Sequence, residues 1–206
     1  ATFDLSPGHE IFTQEERTAW HALLRKHLGD GRGRRALDLA SGTGVISRLL
    51  HELGYEVTGL DFADPMLERA RAKAAAGSLP LAFVAGDAEQ TFESDDSYDV
   101  LVTRHLVWTL ENPPLAFAEW LRILKPGGRL LIVDHDPAAR TAGARLRRRI
   151  AGILRGWAQP TPTPGVDRAL HERIVAQVYF SAGTPPEAVA ELLEQAGFRD
   201  IVVDRD

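Results

Sequence analysis

Residues 35–50 read Arg35-Ala-Leu-Asp-Leu-Ala-Ser-Gly-Thr-Gly-Val-Ile-Ser-Arg-Leu-Leu50, and this stretch decides the fold. A short apolar run ends near an acid, Asp38, and is followed by two glycines, Gly42 and Gly44, before an apolar pattern at helical spacing begins. Glycine has no Cβ, so it accepts positive φ and lets a ligand approach the backbone. Strand, glycine turn and helix in that order build a nucleotide cradle in open α/β sheets.

Strand and helix signals alternate outward from this unit. Strands are expected at Ala36–Leu39, Glu56–Leu60, Leu81–Val84, Tyr98–Thr103 and Arg129–Asp134, with a last one at Phe198–Val203. Helices are expected near Gly44–Leu53, Pro65–Ala76 and Pro114–Leu124. The alternation predicts an α/β, Rossmann-like, doubly wound and mostly parallel sheet with helices on both faces. Thr13 and Glu16 form a capping-box pattern ahead of Trp20, Leu23, Leu24 and Leu28, and Gly29 stops that helix. Lys125-Pro-Gly-Gly128 reads as a turn, and Thr184-Pro-Pro-Glu187 as a helix start capped by Thr184. One domain over 1–206 is expected, with an N-terminal helical cap at 1–34. An inserted helical lid is expected over 137–183, stiffened by the Gln159–Gly165 elbow.

Composition narrows the function classes. A formal net charge of −5 argues against a nucleic-acid footprint. With no cysteine, disulfides, thiolate metal sites and cysteine nucleophiles are excluded. No apolar run approaches the roughly 18 residues of a membrane span, and the first residues lack a signal-peptide pattern. A cytoplasmic protein with no membrane or nucleic-acid partner is expected. The Asp134-His135-Asp136 run alternates across a strand, so its side chains do not converge on a metal, and no metal is expected.

Ligands of such sheets bind outside the carboxyl ends of the strands. Those ends carry Asp38, Asp61, Asp87, Arg104-His105 and Asp134-His135-Asp136. Asp61 follows Asp38 at close to the spacing, about 20 residues, at which a carboxylate accepts both ribose hydroxyls. Asp64, before Pro65, is the better helix cap, which leaves Asp61 for the ligand.

Leu37-Asp-Leu-Ala-Ser-Gly-Thr-Gly44, Val57-Thr-Gly-Leu-Asp-Phe-Ala-Asp-Pro-Met-Leu67, Val84-Ala-Gly-Asp-Ala-Glu89, Tyr98–His105 and Leu121-Arg-Ile-Leu-Lys-Pro-Gly-Gly-Arg-Leu130 together resemble the class I S-adenosylmethionine-dependent methyltransferases. The resemblance is to their ubiquinone/menaquinone-type branch. It implies S-adenosyl-L-methionine as cofactor and a small-molecule acceptor. By the same resemblance Ala40, Gly42 and Gly44 lie against the methionine moiety, and Asp38 reads its ammonium. Asp61 holds the ribose, Phe62 and Met66 line the adenine, and Asp87 with the Ala88 backbone reads its edge. Arg104 borders the sulfonium, and Phe3 closes over the cofactor. The family usually has glycine where Ala40 stands, which implies a shifted loop. A branched residue at Gly44 is expected to fill space the cofactor needs.

A weakly acidic acceptor needs a base, and His135, His9 and His105 are the candidates, since imidazole titrates near pH 6.5. The acceptor atom stays open among oxygen, nitrogen, carbon and sulfur. Three alternatives share much of the pattern: alkyl transfer or cyclisation releasing methylthioadenosine, a non-catalytic nucleotide binder, and an NAD-dependent oxidoreductase. Against the last stands Asp38, whose carboxylate repels a pyrophosphate and suits a cationic ligand.

Overall fold

The computed structural model describes residues 13–134, 179–180 and 184–204. Helix α1 spans Gln14–Leu28, and its capping box forms: the Thr13 side chain accepts from the Glu16 backbone while Glu16 returns the bond to Thr13 N. Gly29, at φ +77, ends it. Then follow β1 (Arg35–Leu39), α2 (Val45–Glu52), β2 (Glu56–Asp61), α3 (Asp64–Ala76), β3 (Ala82–Ala85), β4 (Tyr98–Arg104), α4 (Pro113–Ile123), β5 (Leu124–Val133) and α5 (Pro186–Ala196).

Among the described residues the strands form one sheet in the order β3-β2-β1-β4-β5, every pairing parallel. The alternation of β1 shows why both faces must be covered. Leu37 and Leu39 join a core with Phe117 and Trp120 of α4 and with Val189 and Leu193 of α5. Ala36 faces the other way, into Leu24 and Leu28 of α1 and Ile46, Leu49 and Leu50 of α2. Each such large apolar side chain stabilises the fold by about 1.5–3 kcal/mol relative to exposure. A third cluster seats α3 through Leu67, Ala70 and Ala74 on Phe83 of β3. At this sheet edge the Arg71 guanidinium donates to the Phe83 carbonyl, covering a strand group that no neighbouring strand uses.

The strand order reverses between β1 and β4, the point at which sheets of this kind take their ligands, outside the carboxyl ends of the two strands.

Three expectations need correction. Phe198–Val203 is not a strand. Gly197 (φ +112) and Asp200 (φ +55) lie in left-handed conformations that break an extended run, and Asp204 is tied instead to Lys26 and His27 of α1. Thr184 does not cap α5: the cap residue is Pro185, held extended by the following Pro186, where the helix starts. Asp64 does not cap α3 but opens it, after Ala63. The Lys125–Gly128 turn forms as expected after α4: Tyr98 opposes Leu124 and Val100 opposes Arg129, so the intervening residues loop out of the β5 ladder, with Gly127 at φ +77. The expected lid at 137–183 lies outside the described residues except for Tyr179 and Phe180, and Phe180 is buried in the α4–α5 core.

Candidate active site

The site is built by the loop that leaves β1. Ala40 and Gly42 both take positive φ, +56 and +55, and turn the chain over the end of the sheet. Ser41 N donates to the Leu60 carbonyl, and Gly44 N donates back to Ser41 O. These bonds press the loop onto β2, where only glycine fits: a Cβ at Gly59 would stand 2.8 Å from Ser41 Oγ and 2.6 Å from the Phe83 ring. The two loop glycines have different jobs. A Cβ on Gly42 would meet no atom within 4 Å, so that face of the loop is open. A Cβ on Gly44 would stand 2.8 Å from Phe83, inside the protein. A side chain at Gly44 therefore meets Phe83 before any ligand: Gly44 is required by its φ of +79 and by packing, while Gly42 faces open space.

Asp61 braces this loop. One carboxylate oxygen accepts from Gly42 N at 2.8 Å and the other from Ala63 N at 2.8 Å. Asp61 thus joins the glycine turn to the start of α3, taking the backbone-capping task expected of Asp64. Each oxygen keeps a lone pair for a further donor.

Asp38 lies beneath the loop, only 2% exposed. The Ser47 hydroxyl of α2 donates to it at 2.6 Å. Burial pushes the Asp38 carboxyl up to about 7, and the neighbouring Asp61 pushes the same way. Hydrogen bonds from the Ser47 side chain and backbone oppose this, as does the Arg104 charge. Arg104, the last residue of β4, places its guanidinium over the Trp20 ring of α1 at 4.9 Å.

The next residue, His105, is exposed and held at φ +61, an uncommon conformation for a side chain of its size. Its Nδ1 lies 3.7 Å from Asp134 Oδ1, while Asp134 Oδ2 accepts from Val107 N at 3.1 Å. On the other flank Phe62 is 83% exposed and Met66 half-buried. Asp87 is exposed, accepting from Glu89 N. Ala88 is buried, and its carbonyl accepts from Trp120 Nε1 at 2.7 Å, which anchors this loop to α4. Phe3, His9 and His135 lie outside the described residues. Among the described residues no group of three or more potential metal ligands converges, and no helix is long and apolar enough to cross a membrane.

Two participants escaped the sequence reading. Ser47 is a hydroxyl on the apolar face of α2, in the run Val45-Ile-Ser-Arg-Leu-Leu50. That misfit was the available signal. Trp20 reads as one more core residue in the stripe with Leu24 and Leu28, and nothing in its spacing distinguishes it.

An open glycine turn, two carboxylates at its base and an exposed aromatic beside it suit a ligand that carries positive charge at one end and a ring at the other. Residues 37–132 match the methyltransferase-domain family. The chain is 34% identical over 171 residues to the demethylmenaquinone methyltransferase of Thermus thermophilus, an alignment covering 80% of this chain and 74% of that protein. It is 28% identical over 203 residues to the ubiquinone/menaquinone biosynthesis C-methyltransferase UbiE of Desulfotalea psychrophila, covering 94% of this chain and 77% of the other. The fold is also that of the Haemonchus contortus phosphoethanolamine N-methyltransferase 2, solved with S-adenosyl-L-methionine. That match has a TM-score of 0.65 at 20% identity, over 97% of this chain and 41% of that one.

The protein is a methyltransferase whose cofactor is S-adenosylmethionine. Within that class it belongs to the class I family, in its ubiquinone/menaquinone branch. The oxidoreductase alternative falls with this membership.

Proposed function

We propose that the protein methylates a ring carbon of a small hydroquinone. The observation that carries this reading is the 34% identity to a demethylmenaquinone methyltransferase over most of both chains, supported by the C-methyltransferase name of the second relative. Bound at this site, the cofactor would supply an activated methyl group for transfer to that carbon, with S-adenosylhomocysteine as the other product. The residues divide the remaining work. The Ala40–Gly44 turn would receive the methionine moiety on its open face, the side on which Gly42 lies. Asp38, once ionised, attracts the ammonium group. Asp61 offers its remaining lone pairs to the ribose hydroxyls, a task helped by the two backbone bonds that fix its orientation. Phe62 and Met66 flank the adenine, with Asp87 and the Ala88 backbone at its edge.

His105, oriented by Asp134, is the base. It takes the proton of the acceptor hydroxyl, and the oxyanion so formed enriches the neighbouring ring carbon in electrons. That carbon bonds the incoming methyl and then loses its own proton, restoring the aromatic ring.

The test uses tritiated-methyl S-adenosylmethionine and a short-chain naphthoquinol, with the oxidised quinone and a quinol already methylated at the reacting carbon as comparators. Label on carbon with the open quinol alone is the expected result. Label on oxygen, or no transfer while S-adenosylhomocysteine still binds, would assign a different acceptor.

A further inference from the structure

The loop that follows β3 carries Asp87 and Ala88, and three residues tie it to α4. Trp120 Nε1 donates to the Ala88 carbonyl at 2.7 Å. The Glu119 carboxylate accepts from the Thr91 backbone N–H at 2.9 Å and from the Thr91 hydroxyl at 2.6 Å. The third tie runs the other way. Glu89 reaches from the loop to the start of α4, where one carboxylate oxygen accepts from Glu111 N at 2.6 Å and the other from Asn112 N at 2.9 Å. Its own backbone N–H donates to Asp87 Oδ1 at 2.9 Å. Of the three, Glu89 is the one that touches the Asp87 carboxylate as well as the start of the helix. Capping does not require it: Asn112 already serves as the N-cap, its side chain accepting from Leu115 N at 3.3 Å, and the two N–H groups that Glu89 takes precede the first helical residue, Pro113. Two adjacent N–H donors call for two acceptors at a fixed spacing, which a carboxylate supplies and an amide does not.

We propose that Glu89 is a positioning residue for nucleobase selectivity: anchored on the start of α4, it aims the Asp87 carboxylate at the exocyclic amino group of adenine. The inference rests on Asp87 standing at the adenine edge and is independent of the acceptor. An ionised carboxylate only accepts hydrogen bonds, so it receives the amino group of adenine and rejects the carbonyl that replaces it in hypoxanthine. That preference depends on aim. Asp87 is exposed, and an exposed side chain that nothing holds spreads over its rotamers. The bond from Glu89 N selects one of them, and each Asp87 oxygen keeps a lone pair for a donor from the ligand. Glu89 N is in turn held in place because the Glu89 carboxylate is fixed at both oxygens.

The experiment measures the affinities of S-adenosylhomocysteine and of S-inosylhomocysteine, its deaminated analogue, by calorimetry in the wild type, Glu89→Ala, Glu89→Gln and Asp87→Ala. Thermal unfolding of each protein is followed separately. The wild type should prefer the adenine ligand by about a hundredfold or more, since a site built around a hydrogen bond rejects the analogue that leaves it unmade. Glu89→Ala should narrow that preference about tenfold, the scale of one charge-assisted hydrogen bond. Glu89→Gln, with one acceptor for two N–H groups, should fall between the two. Should Glu89→Ala not fold, the narrowed ratio in Glu89→Gln carries the prediction. A ratio unchanged in the folded Glu89 variants, including one in which both ligands weaken equally, would overturn the proposal while Asp87→Ala still abolishes the preference. A wild type without preference, or an Asp87→Ala protein that keeps it, would instead overturn the adenine-edge reading, and the proposal with it.

Discussion

At the scale of single residues, the site holds strain and charge that a merely stable fold would avoid. Ala40 sits at φ +56, which costs a residue with a Cβ about 1–2 kcal/mol over glycine. Ala40→Gly should therefore stabilise the chain by about 1 kcal/mol, read as a higher melting temperature; an unchanged or lower one would contradict the strain. Asp38 makes a second case. Its folded-state carboxyl titrates at about 7, against about 3.9 in an unfolded chain. The folded state keeps a proton that the unfolded state has lost, so stability declines as pH rises between these values and the penalty is complete above about 7. Asp38→Asn removes the penalty. It should stabilise the ligand-free protein by a few kcal/mol at pH 8 and hardly at pH 4, while weakening binding of a cationic ligand. Denaturant unfolding at the two pH values checks the sign, and equal effects at both would contradict it. The acid near the end of β1 was legible in the sequence. Its burial and its bond to Ser47 were not, because both depend on α2 folding back over β1.

At the scale of elements, the strand–turn–helix unit of residues 35–52 separates the needs of folding from those of binding. Gly42 faces open space and Gly44 faces Phe83. Gly42→Ala should cost about 1 kcal/mol in stability, from its positive φ, and sharply weaken S-adenosylhomocysteine binding. Gly44→Ala should destabilise by about 1–3 kcal/mol from overpacking against Phe83 as well as strain. Equal stability losses with equal binding would show that the two glycines are interchangeable. The existence of this unit, of the four other strands and of the α1 capping box was readable from periodicity and cap residues. Three details were not. Asp200 and Gly197 turn the 198–203 segment away from the sheet through backbone conformations its apolar pattern does not reveal. Two consecutive prolines shift the start of α5 past Thr184. At β2, the carboxylate that braces the start of α3 is Asp61, because the glycine turn brings Gly42 N within reach of it.

At the scale of the whole molecule, the order β3-β2-β1-β4-β5 puts the glycine turn of β1 beside the end of β4, with Asp38, Asp61 and Arg104 toward the carboxyl ends of three neighbouring strands. Residues remote in sequence meet there because the sheet reverses direction at that point. Helix α1 closes one side through Trp20, and α4 anchors the loop at Ala88 through Trp120. If S-adenosylmethionine binds at these strand ends, Asp61 links the loop to the ligand. Calorimetric titration with S-adenosylhomocysteine, comparing the wild type with Asp61→Ala below the melting temperature of both, tests it most directly. The expected result is one-to-one binding in the wild type and a loss of about 1–3 kcal/mol in the variant, from charge-assisted hydrogen bonds to the ribose. An unchanged dissociation constant in a folded Asp61→Ala protein would contradict it.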